Sequence, residues 1–307
     1  MHLTSIIRRR PLTAFLLWFF TVGVAVSFIP VVTDGGGLPP QLYIVASTLV
    51  GLLLPTLVIT RIVDGPEGLR ALWSRAVQFR ASLVWYVLAL VAVPVVAVAL
   101  TVLLVGPPDE LTPGRLATAL LTAAGPAMLL TWLPNNWWEE VAWTGFVQAR
   151  LQDRRGPLVA ALLTGPLFAL QHVALVADGT LAEATFLLTL LALLAIPFRF
   201  LVAWVYNRTS SLFLIGLLHA SGNAVAGGSG FHPGFLRSLY PDSALSGMAH
   251  LLAYAALGLL VLAATRGRLG SRRLGNRRLG PGGAAPASAG VRVPAARRPS
   301  VPARTQR

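Results

Sequence analysis

For most of its length the chain is a succession of apolar runs, each close to twenty residues long, and this constrains the fold more than anything else in the sequence. About 20 apolar residues in a helix cross the roughly 30 Å hydrocarbon core of a bilayer. No water is available there, so every backbone N–H and C=O must be satisfied within the protein, and helices do this segment by segment. Eight runs qualify: Pro11 to Val32, Gln41 to Val63, Leu83 to Gly106, Leu116 to Leu133, Gly156 to Ala177, Ala182 to Tyr206, Ser211 to Ala226 and Ala244 to Thr265. Hydrophobic residues make up 55% of the 307 and charged residues 12%, too little polar surface to coat a water-soluble globule of this size. The expected fold is all-α: a polytopic integral membrane helix bundle of about eight transmembrane helices over residues 1–265. Arg8, Arg9 and Arg10 precede the first run as they would a secretory signal, but the run is long enough to span and no small-residue cleavage site follows, so it reads as an anchor.

The arginines set an orientation. Arg8 to Arg10, the loop bearing Arg61, Arg70, Arg75 and Arg80, the turn with Arg150, Arg154 and Arg155, Arg208, and the C-terminal arginines all fall on one side of the bundle. By the positive-inside rule that side is the cytoplasm. The expectation is a multi-pass protein of the cell membrane with both termini cytoplasmic. The basic residues are all arginine, and with the heavy use of Ala, Leu, Gly and Pro this looks like the composition of a GC-rich bacterial genome. The absence of cysteine excludes disulfides and thiolate metal sites.

After Thr265 the composition changes to Arg, Gly, Pro, Ala and Ser, with a degenerate Arg-Arg-Leu-Gly repeat. Residues 266–307 cannot bury a core and are expected to form a disordered cytoplasmic tail. Such a tail is drawn to anionic headgroups at about 1 kcal/mol per Arg. A nucleic-acid partner would call for interleaved aromatics, which the tail lacks, so no nucleic acid is expected.

Three polar clusters interrupt the apolar pattern: Glu139 with Glu140, Phe168 with His172, and His219 with Asn223. Ionisable groups at membrane depth cost on the order of 2.5 to 3.5 kcal/mol each, so they face a cavity and mark a site by default. For the glutamates a plainer reading stands beside this one. Pro134, Asn135 and Asn136 look like a helix stop and N-cap, which would make the acids first-turn residues at the positive end of a helix dipole. The turn expected over Asp153 to Pro157 lies midway between Glu139 and His172, so an antiparallel hairpin brings them level, about 24 Å from the turn. Phe168 and His172 share a helical face, as do His219 and Asn223. Interhelical hydrogen bonding is the plain reading of the last pair; a functional one is two donors converging on a developing oxyanion.

Taken in order, Glu139-Glu140, Phe168-Ala169-Leu170-Gln171-His172 and His219-Ala220-Ser221-Gly222-Asn223 resemble the EExxxR, FxxxH and HxxxN motifs of the CAAX-processing and bacteriocin-processing (Abi, type II CAAX protease) family of intramembrane peptidases. The resemblance covers roughly Trp132 to Ala226, inside a motif-bearing core of about 115–265. It implies a helix bundle around a catalytic cavity, a membrane endopeptidase activity, and a catalytic set of Glu139, Glu140, His172, His219 and Asn223. In that set Glu139 and His172 activate a water while His219 and Asn223 steady the oxyanion. The sequence departs from the family pattern at Thr144, which stands where EExxxR has its arginine. Arg199 in the sixth run is the candidate replacement cation for Glu140, with snorkelling to the interface as its alternative.

Two chemistries remain open for such a site. One is a metal-free, glutamate-based hydrolase. The other uses zinc on Glu139, His172 and His219, a donor set of the type known in catalytic zinc sites, although the H-E-x-x-H helix is absent. Substrates are expected to be a peptide or membrane protein cut near the bilayer. Two other classes compete: a non-catalytic scaffold or immunity-type protein on the same fold, supported by Thr144, and a transporter, disfavoured because no matching interrupted helices recur in two halves.

Overall fold

The computed structural model describes residues 3–270 except 34, 36 and 229. Among these the secondary structure is entirely helical. Eight apolar helices carry the bundle: α1 (Pro11–Val32), α2 (Pro40–Val63), α3 (Leu83–Val105), α4 (Pro113–Arg155), α5 (Pro157–Leu170), α6 (Leu181–Thr209), α7 (Leu212–Val225) and α8 (Ala244–Thr265). Short helices at Leu3–Arg9, Gly65–Ala76 and Phe235–Leu239 lie outside this set.

The eight apolar runs therefore all form helices, but six of them, not eight, are long enough to cross a bilayer. The 14 residues of α5 and of α7 reach only about 21 Å. The expected run to Ala177 ends early for a local reason. The N–H groups of Gln171 and His172 turn back to the carbonyls of Phe168 and Ala169, and the chain tightens into a 3₁₀ turn over Val173–Val176.

A second difference lies in α4. The expected stop at Pro134 and the N-cap at Asn135 or Asn136 do not form: the helix runs on for 43 residues, and neither asparagine caps it. A π-helical turn over Trp132–Asn136 absorbs the proline, whose ring and missing N–H would otherwise break the α-helical ladder. Similar π turns contain Pro126 or immediately precede Pro55 and Pro94. Freed from capping, the side chain of Asn136 points into the bundle, where it is 1% exposed.

Small residues allow the helices to approach. A Cβ on Gly258 of α8 would sit 1.8 Å from the carbonyl oxygen of Pro197 on α6, and one on Gly51 of α2 would sit 2.5 Å from the Cα of Gly23 on α1. The α1–α2 pair is also tied by hydrogen bonds from Ser47 Oγ to Gly23 O, 2.7 Å, and from Trp18 Nε1 to Val50 O, 3.0 Å. Phe15 and Phe19 of α1 pack edge-on against Trp143 of α4, and Phe15 also meets Phe146. Gly156, at φ +80°, makes the one-residue reversal between α4 and α5. Residues 266–270 are part of the packed chain: Leu269 is buried and its carbonyl accepts from Asn207 Nδ2 at 2.8 Å. The rest of the expected tail, 271–307, lies outside the described residues.

Candidate active site

Helices α4, α5, α6 and α7 bring one polar cluster together inside this apolar bundle. The α4–α5 hairpin places Glu139 and Glu140 opposite the end of α5, where Phe168, Gln171 and His172 sit. His219 comes from the middle of α7 and Arg199 from the buried stretch of α6. Glu139, Glu140, Asn136 and His219 are all buried, and Arg199 and Glu140 are each 0% exposed.

The two glutamates occupy different environments. Glu140 is held on every side: Arg199 Nη1 donates to Oε2 at 2.8 Å and Nη2 to Oε1 at 3.3 Å, Thr144 Oγ1 donates to Oε2 at 2.5 Å, and His219 Nδ1 reaches Oε1 at 3.0 Å. The same guanidinium donates to Thr144 Oγ1 at 3.2 Å, and its Cζ lies 4.2 Å from the centroid of the Phe168 ring and 5.0 Å from that of Phe198. Buried charge is tolerable when paired and hydrogen-bonded in this way. Arg199 thus does not snorkel. It spends its charge on Glu140, from a different helix than the motif's arginine would have used.

Glu139 instead faces open space. It lines a cavity of about 930 Å³ together with Asn136, His172, His219 and Asn223, whereas Glu140 and Arg199 do not. Its Oε2 accepts from Asn136 Nδ2 at 2.8 Å and its Oε1 from Gln171 Nε2. Gln171 is itself oriented by a hydrogen bond from Trp143 Nε1. These donors fix the carboxylate without neutralising it.

The hydrogen bonds also sort the histidine nitrogens. A carboxylate can only accept, so His219 carries hydrogen on Nδ1, which points at Glu140; that atom is also 3.7 Å from Glu139 Oε2. His219 Nε2 is left 3.5 Å from Asn136 Nδ2. His172 Nδ1 lies 3.1 Å from the carbonyl of Phe168, which again assigns the hydrogen to Nδ1 and leaves Nε2 as the available lone pair on a residue lining the cavity. Phe168 packs edge-on to His172 and His219, with centroids 5.0 and 5.6 Å apart, and so fixes both rings. Asn223 Nδ2 donates to Asn136 Oδ1 at 3.0 Å, which leaves its second N–H uncommitted by that bond.

Every residue expected from the motifs is in this cluster. Four others were not expected in it. Asn136 had been assigned to a cap, but it links Glu139, His219 and Asn223. Gln171, quoted only as motif spacing, holds Glu139. Tyr254 of α8 donates to the carbonyl of His219 at 2.7 Å, and His250, one turn earlier on α8, lines the cavity with an Nδ1 that has no hydrogen-bond partner among the described residues. Asn136 is three residues before Glu139 and shares its helical face, a signal that the adjacent proline masked. Tyr254 carries no local signal, because its partner is on another helix.

The zinc alternative required Glu139, His172 and His219 to converge. Among the described residues no three His, Asp or Glu side chains are gathered as a metal ion needs. No step is therefore routed through a metal ion.

Fold and site together define a polytopic membrane protein with a buried glutamate and histidine cluster opening on an internal cavity. The family model described as Rce1-like, type II CAAX prenyl endopeptidase Rce1-like, matches residues 118–225, the segment that carries the motifs. It contains α4 from its first turns, α5, α6 and α7, and with them every motif residue. No curated protein and no solved structure matches the chain.

Proposed function

We propose that the chain hydrolyses a peptide bond in a membrane-associated peptide or protein, with Glu139 as the base. One observation carries this reading. Of two adjacent glutamates, one is locked in an ion pair with an arginine behind the cavity wall, and the other is presented to the cavity with hydrogen bonds from the side-chain amides of Asn136 and Gln171.

Water held between Glu139 and the free Nε2 of His172 attacks the scissile carbonyl carbon and gives its proton to the carboxylate. Negative charge develops on the carbonyl oxygen, where the uncommitted N–H of Asn223 faces it, and His219 adds a second donor there only when Nε2 carries hydrogen as well as Nδ1. The proton on Glu139 passes, directly or through His172 Nε2, to the departing nitrogen as the C–N bond breaks, and the carboxylate is restored. Arg199, Thr144 and Glu140 do not touch substrate in this scheme. They hold His219 in its Nδ1–H tautomer, the part an orienting carboxylate plays for any catalytic imidazole. The apolar part of the cavity, walled by Ile44, Leu191 and Leu194, fits an apolar segment beside the cut. The arginine distribution supports a cell-membrane location with both termini cytoplasmic and a basic tail drawn to anionic lipid.

The test is hydrolysis of a quenched peptide library by purified protein in detergent, in ¹⁸O-labelled water, with and without a chelator. The expected result is cleavage that carries one ¹⁸O into the new carboxylate and survives chelation. Cleavage abolished by chelator and restored by zinc would overturn the glutamate mechanism. A folded protein that cleaves nothing would favour the scaffold reading, whose support is the loss of the motif arginine at Thr144.

A further inference from the structure

The catalytic cavity has a direction. At its inner end stand Glu139, His172 and His219. From there its lining runs to Gly35 and Gln41 at the α1–α2 connection, Val176 and Asp178 at the α5–α6 connection, and Gly228 and Phe231 at the α7–α8 connection. Asp178 and Phe231 are exposed there. All three connections lie at the same end of the bundle, because the helices alternate in direction and each connection joins an odd-numbered helix to the next.

The other end is shut. Behind Glu139 come the Glu140–Arg199–Thr144 cluster and then Trp143, Phe146, Phe15 and Leu212, each buried. Continuing past this layer, the chain reaches Arg150, Arg154 and Arg155 at the end of α4 and Arg208 at the end of α6, level with Arg61 and Arg75 on the α2 side: Arg150 pairs with Asp64, and Arg75 Nη1 donates to Tyr206 Oη at 2.8 Å. The open end carries only Arg115 and Arg237 among the described arginines. Arg115 is occupied, donating to the carbonyls of Glu110, Ser238 and Leu239. The arginine bias that orients a polytopic chain therefore opposes the direction of the cavity mouth.

We infer that the site takes its substrate from the extracytoplasmic face: the segment cut is the extracytoplasmic, juxtamembrane part of a membrane-anchored peptide, and it enters between the α1–α2, α5–α6 and α7–α8 connections. The inference rests on the peptidase reading for what happens to the segment, and on the arginine distribution for the side it comes from. Water for hydrolysis and the released polar product exchange through the same mouth, while the arginine-rich end stays sealed by the Arg199–Glu140 pair.

The chain contains no cysteine, so single cysteines report access without background. Full-length Asp178→Cys at the mouth, Leu191→Cys on the cavity wall and Arg154→Cys at the opposite turn are expressed in bacterial cells and treated with a small, charged, membrane-impermeant methanethiosulfonate. The first two are expected to react in intact cells with the outer membrane opened, and Arg154→Cys only after the inner membrane is permeabilised. The inference is overturned if Arg154→Cys reacts in intact cells, or if Leu191→Cys reacts only after permeabilisation or not at all. Labelling requires no turnover, so it gives its answer even for a protein that cleaves nothing, and failure of the peptidase reading appears separately in the hydrolysis assay.

Discussion

At the scale of single residues, the arrangement of Arg199, Thr144 and Glu140 explains how the chain can lack the motif arginine and keep the motif carboxylate. A guanidinium is needed near Glu140, and the helix that supplies it matters less than where its charge ends up. Removing it leaves a buried, unpaired carboxylate, a change that costs ~3–5 kcal/mol. Arg199→Ala should therefore lower the thermal unfolding midpoint of the detergent-solubilised protein by many degrees and abolish peptide cleavage. Thr144 lies 3.2 Å from Arg199 Nη1, beside the space the deletion would empty. Adding Thr144→Arg to Arg199→Ala restores the motif's own spacing, and the double variant should regain stability and part of the cleavage rate. Failure of the rescue, with Arg199→Ala as stable as the wild type, would show that the pair is not what holds Glu140.

The motif residues were legible in the sequence because their spacing is local: four apart on one helix, or equidistant from a turn. Asn136 was not, because a proline and two asparagines in a row are also what a helix start looks like, and a π turn that absorbs the proline leaves no compositional trace. Gln171 and Tyr254 act through partners on other helices, so nothing near them in the chain signals their roles.

At the scale of elements, helix existence was readable from apolar run length, and helix ends were less so. The runs containing α5 and α7 looked long enough to span, yet both helices stop at 14 residues. α5 stops where backbone N–H groups and the His172 ring both turn back on the last-turn carbonyls, and α7 where the chain leaves helical geometry at Ala226. Both short helices end beside the cavity, which His172 just past the end of α5 and Asn223 in the last turn of α7 both line. Close packing is the other requirement at this scale. The α6–α8 contact depends on Gly258, where any Cβ would overlap the Pro197 carbonyl, and on the same stretch of α6 that carries Arg199. Gly258→Leu should therefore destabilise the fold by more than the ~1–3 kcal/mol typical of an overpacked core. It should also reduce activity without touching a catalytic group, measured as the unfolding midpoint and the cleavage rate of the purified variant.

For the whole molecule, an all-helical, polytopic architecture followed from composition and run length, because lipid leaves few other ways to satisfy a backbone. The depth and direction of the cavity did not follow, since they depend on which loops meet at the mouth and on what packs beneath Glu140. The match to the peptidase family covers α4 to α7, while α1, α2 and α8 lie outside it and still line the cavity through Ser27, Gln41, Ile44 and His250. Differences among peptides as substrates should therefore respond to changes in these outer helices. Ile44→Trp, which fills cavity volume from α2, should raise KM or exclude bulky apolar peptides while leaving the turnover of small ones, read from initial rates on peptides of graded side-chain size.

The central claim, that Glu139 is the base and Glu140 its structural neighbour, is tested most directly by the initial rate of peptide cleavage by Glu139→Gln, alongside its unfolding midpoint. An amide of the same shape can keep the hydrogen bond from Asn136 or Gln171 but cannot take a proton from water. The expected result is a folded protein that still binds the peptide and has lost cleavage by at least the ~10²-fold typical of a missing general base. A Glu139→Gln variant that cleaves at the wild-type rate would contradict the account.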